Sequence, residues 1–589
     1  MMVKLLALFI TMSSVSAFLF PFQTTPLIHQ LARPSVSSRT PSTRGELRCS
    51  LLMYSTSKSS LSSSSSSSLP SQSRTWVGRY CWRVSRHGIV DDKSPRNNRK
   101  NYNLLNLLSI NDETNRLILR TAIPSMANLA VVPLVNMVDT YWVGRLGSAL
   151  DLAGQSAANQ TFFGLFFLFA FLPTITAPLV AAAVGRAAGD NGNNKDEASD
   201  RVCEALFLCN VLGLIGTILL VCFPRFALQS VLAVDAPAMA RAVPYLRLRA
   251  LGLLPSLLSS TGFAAYRGSL DTVTPLKVSI GVNLLNLVLD PIFIFGWGGK
   301  FGMAGMKGMG LCGAALATAL SETVSGLVYL RLLLRDKLVR WSKLLRPPTW
   351  SNLQPLLKGG SAVLLRQLSL NISFLAAASR AQSLDPQSGV RAAAYGIVMQ
   401  IYSLGIVVNL GMQSAAAALV PSARSASVAM GGGDDAARNI ADRSLVWGLL
   451  VGCVLAFLQI ASLPYIVPLF STLPEVVDAV RTPAMISGLL QIVNGLVFAG
   501  EGIMMGVSSY GALVASTAMG VAIMIGCLTC TPLGKGLNGI LVSNGIFHLF
   551  LAGAVVVHHL LLGPLSRRRL RLKKNGWFHF GRKEGEMKG

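Results

Sequence analysis

Charge is what this chain lacks. Only 13% of its 589 residues are Asp, Glu, Lys or Arg, where soluble domains run near a quarter. That deficit excludes an ordinary soluble enzyme and a disordered scaffold alike. Acids are scarcer still, 26 against 52 basic residues. No Walker A motif is present, so ATP is not the visible energy source. Cysteine offers no framework either: there are nine, an odd number, and the Cys527/Cys530 pair has no second pair or nearby His to complete a metal site. What is abundant is apolar, 51% of residues at a mean hydropathy of +0.51. The class that fits is an all-α polytopic membrane protein.

The net charge of +26 belongs mostly to the ends. Residues 1–103 and the tail 566–589 together carry 18 of those charges. A nucleic-acid surface needs a basic patch on a folded, aromatic-bearing domain, and none is visible, so no nucleic-acid partner is expected. The tail reads as a positive-inside signal facing an anionic leaflet.

The first 17 residues combine Lys4, the apolar run LLALFITM and a small-residue end at Ser16-Ala17, the parts of a secretory signal peptide. Residues 18–110 are Ser/Thr/Arg-rich and acid-poor, with a serine run over 62–68. That composition cannot bury a core and is that of an organelle transit peptide. The junction Ser16-Ala17-Phe18 resembles the bipartite presequences of algae whose plastids lie within the secretory system. The expected location is a multi-pass position in a plastid envelope, or otherwise another membrane of the secretory pathway.

Twelve apolar segments long enough to span a bilayer follow near 117–143, 152–185, 199–223, 240–268, 274–297, 309–334, 352–380, 391–423, 442–468, 475–506, 509–531 and 536–562. The two halves echo each other at about 240 residues: Gly189-Asp190 matches Gly433-Asp434, Pro224 matches Pro464, and Phe263 matches Phe498. Six helices return the chain to its starting side, so the halves must be parallel repeats. The expected organisation is an N-lobe at 111–345, a C-lobe at 346–565 and a basic tail at 566–589. The linker 335–351 carries five basic residues and one acid, which puts it and both termini on the cytosol-equivalent side.

Four acids fall well inside the apolar spans: Asp139, Asp290, Glu322 and Glu501. A buried acid is costly in hydrocarbon and is a functional candidate by default, because burial favours its neutral form and so lets it carry a proton. Asp139 shares its span with Asn128 and Asn136, and Asp290 follows Asn283 and Asn286 at i, i+3, i+7. Such polar stripes must face a hydrated cavity or each other. Pro124 lies in the first span, where that helix can bend. Glu501 shares the tenth span with Gln491 and Asn494. Glu322 has no comparable polar row and is expected to be structural. Gly308-x-Gly310-x-x-Gly313 opens a membrane span with no preceding strand, so close helix packing explains it better than a dinucleotide. His558-His559 is expected at the interface.

The stretches Ile123-Pro124, Val138-Asp139-Thr140 and Val143-Gly144-Arg145-Leu146-Gly147, with the run from Arg267 to Pro275 and that from Asn283 to Pro291, resemble the multidrug and toxic compound extrusion (MATE) family, in its DinF-like branch. The resemblance covers about 115–563. It implies two six-helix lobes in a V and cation-coupled antiport, with H⁺ or Na⁺ as coupling ion and no other cofactor. It also implies an N-lobe coupling site of Asp139, Asn286 and Asp290, a bend at Pro124, and a C-lobe acid at Glu501. Arg366-Gln367 stands where several other branches carry a glutamate. The implied partners are a small organic solute, an organic acid, phenolic or cationic xenobiotic, and the lipid bilayer, with the chain acting as a monomer. Two other classes stay open: a flippase for lipids or lipid-linked sugars, and a membrane-embedded enzyme, for which His548 alone is a weak basis.

Overall fold

The computed structural model describes residues 112–570 apart from 147, 190–194, 230, 233–234, 297–307, 345–346, 385–389, 427–432, 471–472 and 568. The expected presequence and most of the basic tail lie outside the described residues. The described chain is helical throughout. Its helices are α1 (Glu113–Gly144), α2 (Ala149–Phe169), α3 (Phe171–Gly189), α4 (Lys195–Cys222), α5 (Pro224–Leu228), α6 (Met239–Ala250), α7 (Leu253–Gly268), α8 (Val273–Phe295), α9 (Leu311–Arg335) and α10 (Trp341–Leu344) in the first half. The second half holds α11 (Trp350–Ser383), α12 (Val390–Ser425), α13 (Asp434–Phe470), α14 (Pro474–Gly506), α15 (Tyr510–Cys530) and α16 (Leu537–Val557). Only helices satisfy every backbone group internally in hydrocarbon without closing a barrel. Among the described residues, ten helical stretches are long and apolar enough to cross a membrane, from Leu150–Ala187 to Leu537–Leu562. The first and fourth expected spans are helical but fall outside that set; the first lies within α1, and the fourth is broken.

Two breaks depart from the expected continuous spans, and proline explains both. A proline ring clashes with the carbonyl four residues earlier. Pro173 therefore disturbs the chain at Phe169, and α2 gives way to α3 at Ala170. Pro255 does the same at Leu251, and the fourth span divides into α6 and α7, with Leu251 and Gly252 N–H groups reaching back only three residues, to Leu248 and Arg249. By contrast, α1 is continuous through Pro124 and Pro133.

The lipid-facing surfaces are apolar, as on α4 with Leu214, Ile215 and Ile218, and on α8 with Leu284, Leu287 and Val288. Inside, small residues let backbones approach. Gly448 and Gly452 of α13 lie against Gly495 and Ile492 of α14. The Gly308–Gly313 segment packs on the end of α8, where Met309 and Gly310 N–H groups donate to Phe293 and Ile294 carbonyls at 2.8 and 3.0 Å; Gly308 and Gly313 serve close packing there, and Gly310 the turn, at φ +57°.

The halves meet at one end. The start of α1 packs on the end of α12 and the start of α13 through Ile118, Ala122, Met412, Ala416, Leu419 and Ile440. Arg443 pairs with Asp112 at 2.7 Å, and Trp447 Nε1–H donates to Asn115 at 3.1 Å. Gly185 of α3 abuts the Ser422 backbone of α12. All these contacts lie on the side where the described chain begins and where the linker after α9 runs, whereas α2 and α6 pack chiefly within the first half.

Candidate functional site

The first-half site is built where α1, α6, α8 and α9 meet. Asp139 on α1 and Asp290 on α8 are both buried, at 6% and 0% exposure. Their carboxyl groups face one another within side-chain hydrogen-bonding reach, and the Thr318 hydroxyl of α9 lies on the Asp139 side. Asn286, one turn before Asp290, donates its amide to Asp290 Oδ1 at 3.3 Å. Asp139 Oδ1 and Asp290 Oδ2 are buried without a hydrogen-bond partner. Two carboxylates this close cannot both be ionised cheaply in a low dielectric, so the arrangement can take up and release a proton.

The expected polar stripes are only partly gathered here. Asn283 turns its amide to Ser279 on its own helix, at 2.7 Å from the carbonyl, and stays away from the acids. Its position two turns before Asp290 puts the backbone, not the carboxyl, within its short reach. Asn128 is buried about 16 Å along α1 from Asp139, with its amide nitrogen unpartnered. The side chain of Asn136 lies outside the described residues. Pro124 is half-buried in a helix that runs on through it.

Glu322 is not isolated. Arg249 of α6 grips it with two hydrogen bonds, Nη1 to Oε2 at 2.5 Å and Nη2 to Oε1 at 2.7 Å. The guanidinium also lies 3.8 Å from the centre of the Phe162 ring. This pair adjoins the acids, since Arg249 and Glu322 are the other charged groups facing Asp139.

The second half divides what one helix face had grouped. Glu501 pairs with Arg366 of α11 and accepts from Gln413 Nε2 at 3.1 Å. Gln491 and Asn494 belong to a separate network two to three turns away. There Gln491 Nε2 donates to the Tyr402 carbonyl and to Gln459 Oε1, and Asn494 Nδ2 donates to the Tyr402 hydroxyl at 2.8 Å. The reason is distance along the helix: at 1.5 Å per residue, Asn494 and Gln491 lie about 10 and 15 Å from Glu501. His548 lies by Tyr402 and bonds its own helix at Asn544. His559, expected at the interface, is buried and meets Asp442 at 2.5 Å.

The arginines Arg249, Arg267 and Arg366 are the site residues that a reading of acids alone passes over. Their signal was available, since an arginine inside an apolar span is as costly as an acid. Arg267, at the end of α7, donates to Ser414 of α12 at 2.8 Å, keeps a buried, unpartnered Nε and has no acid partner among the described residues.

The sequence model of the family described as MatE matches the chain twice, over residues 124–292 and 362–530, once in each half. The chain is similar to Protein DETOXIFICATION 44, chloroplastic, of Arabidopsis thaliana, with 30% identity over 454 residues, 76% of this chain and 82% of that protein. It is similar to Protein DETOXIFICATION 45, chloroplastic, of the same plant, with 29% identity over 449 residues, 72% of this chain and 75% of that one. Among solved structures it resembles the outward-facing conformation of a multidrug resistance MATE family transporter of the MOP superfamily, with a TM-score of 0.64 and 24% identity, over 80% of this chain and 98% of that chain.

Proposed function

The chain belongs to the MatE family of multidrug and toxic compound extrusion transporters, and on that premise we propose that it exports a small organic solute by proton-coupled antiport with alternating access. The observation that carries the coupling is the pair of buried carboxyls, Asp139 and Asp290, facing one another with the Asn286 amide on one of them. Loss of the proton places a second negative charge in the pair, and the Asn286 amide and the helix at Pro124, where a proline lets it bend, are the parts that can answer it. One pH unit supplies about 1.4 kcal/mol, and 100 mV adds about 2.3 kcal/mol per charge moved, enough to bias two packed states.

Arg267 favours an anionic solute, an organic acid or phenolic carboxylate, over a cation. It is a guanidinium at the contact between the halves with a serine but no acid beside it. The location favoured is a plastid envelope, supported by the Ala17-Phe18 junction and by the chloroplastic relatives. A fluorescent fusion of residues 1–110 should enter plastids and should fail to do so with Phe18→Ala. Entry into no plastid with either form overturns that placement.

The decisive experiment is reconstitution into liposomes with an imposed proton or sodium gradient and a panel of organic acids and cations. Proton-driven accumulation is expected, lost in Asp139→Asn and in Asp290→Asn, with the double variant little worse because one unit is disabled. Accumulation driven only by sodium, or wild-type rates in Asp139→Asn, would reject the proposed coupling.

A further inference from the structure

The Arg249–Glu322 pair, its guanidinium buried and its carboxylate partly so, has no part in the acid pair's own hydrogen bonds, yet both its charges act on Asp139. The guanidinium is 4% exposed and is held on three sides: by both Glu322 oxygens at 2.5 and 2.7 Å and by the Phe162 ring at 3.8 Å. Gly252 is required for it. A Cβ there would overlap Glu322 Oε2 and lie 3.0 Å from Arg249 Nη1. The pair also ties the break in the fourth segment to α9, because Arg249 sits at the end of α6, just before the break that leads into α7, and Glu322 sits on α9.

Its surroundings define what it can do. Asp139 is faced by Asp290 from α8, Arg249 from α6, and Glu322 and Thr318 from α9. Arg249 is faced by Glu322, Tyr245 and Asp139. Tyr245, one turn before Arg249, donates its hydroxyl to Asn159 of α2 at 3.2 Å, and Gln155 of α2 is beside it. The cluster thus holds three carboxyls and one guanidinium, and Asp139 Oδ1 is a buried acceptor without a donor. The cation that acts on Asp139 is the one Glu322 holds, and Glu322 lies one turn beyond Thr318 on α9.

We propose that Arg249 is a positioning residue of the proton cycle, a tethered counter-charge held by Glu322 while the acid pair is protonated and turned toward Asp139 when the proton leaves. The inference rests on the acid-pair reading above. A bare second negative charge in the lobe would be costly, and re-pairing of Arg249 neutralises it without an external cation. Because Arg249 ends α6 at the Leu251–Gly252 break, its turn pulls α6 against α7 and α9. Proton release is thereby converted into movement at the one place where the fourth segment can flex. Glu322 competes for Arg249 in this cycle and so keeps the acid pair able to bind a proton.

An infrared pH titration of the purified full chain tests this, following the carbonyl stretch of protonated carboxyl groups that disappears in Asp139→Asn. No transported substrate is needed. Glu322→Gln frees Arg249 to favour ionised Asp139, so the midpoint should fall by about one pH unit or more, tenfold in proton affinity. Arg249→Gln/Glu322→Gln removes competitor and counter-charge together, and its midpoint should return to that of the unsubstituted chain or above. If Glu322→Gln does not fold, Glu322→Asp, which retracts the carboxyl by one methylene, should give a smaller fall in the same direction. A midpoint unmoved by Glu322→Gln, or a double variant as shifted as the single, overturns the proposal while leaving the acid pair intact. A band that survives Asp139→Asn overturns the acid-pair reading, and this inference with it.

Discussion

At the scale of single residues, the second half shows a buried acid with a cation bonded to it. Glu501 is 2% exposed and accepts from both Arg366 and Gln413. Glu501 has a guanidinium bonded to it, in contrast to the Asp139–Asp290 pair, which has no cation bonded to it among the described residues. The two halves therefore carry intramembrane acids of different kind despite the repeat in their sequence. Arg366→Met leaves Glu501 buried and unpaired, and breaking one side of such a pair costs about 3–5 kcal/mol. A marked fall in the thermal unfolding temperature in detergent is expected, with most of it recovered in Arg366→Met/Glu501→Gln. If the single variant melts no lower than the double, Arg366 is not what neutralises Glu501.

At the scale of elements, the break between α6 and α7 shows sequence and packing acting together. Pro255 removes a continuous helix, and Gly252 makes the resulting turn thin enough for Glu322 to reach Arg249. The backbone at Gly252 has φ −76° and ψ −12°, which alanine adopts freely, so any harm from a methyl group is steric. Gly252→Ala should cost about 1–3 kcal/mol, the usual range for overpacking. The cost should be at least halved in an Arg249→Met/Glu322→Ala background, where the obstructing atoms are gone. Equal losses of unfolding temperature in both backgrounds would show that the ion pair does not set the need for glycine.

At the scale of the whole molecule, the contacts between the halves form a closed end, and its electrostatics set how it answers pH. Burial alone would raise the Asp112 carboxyl, but the Thr114 N–H and the Arg443 guanidinium outweigh it and hold it below the usual carboxylate range. A lowered folded value means that the Asp112–Arg443 bridge contributes fully above the unfolded carboxylate value of about 3.9. It is lost only as pH falls through the lower folded value. Closure by this pair is therefore constant from about pH 5 to 8. Closure is sensitive to volume instead. Gly185→Val sets a side chain against the Ser422 backbone and should hold this end open. In a background without native cysteines, Ser414→Cys should resist an impermeant thiol reagent at pH 5 and pH 8 alike and become labelled when Gly185→Val is added. Labelling that rises at pH 8 without Gly185→Val, or fails to rise with it, would place the closing contacts elsewhere.

The sequence by itself determined the class of the protein, the position of nearly every helix, the repeat of its halves and the identity of the buried acids. Each of these follows from a property that is local along the chain: apolar length, a punctuating glycine or proline, a carboxyl where none is cheap. Asp139, Asn286 and Asp290 came into view because a polar group in an apolar span is costly enough to be noticed before its surroundings are known. What surrounds them was decided only by the tertiary structure. Glu322 meets a guanidinium 73 residues away, Glu501 one 135 residues away, and neither distance has any periodicity to reveal it. Asn283 and Gln491 share a helix with an acid, but two or more turns along the axis put the carboxyl beyond a hydrogen bond, so packing sent them to other partners. Hydrophobicity chooses which segments enter the membrane. Only the crossing of packed helices chooses which charges meet there.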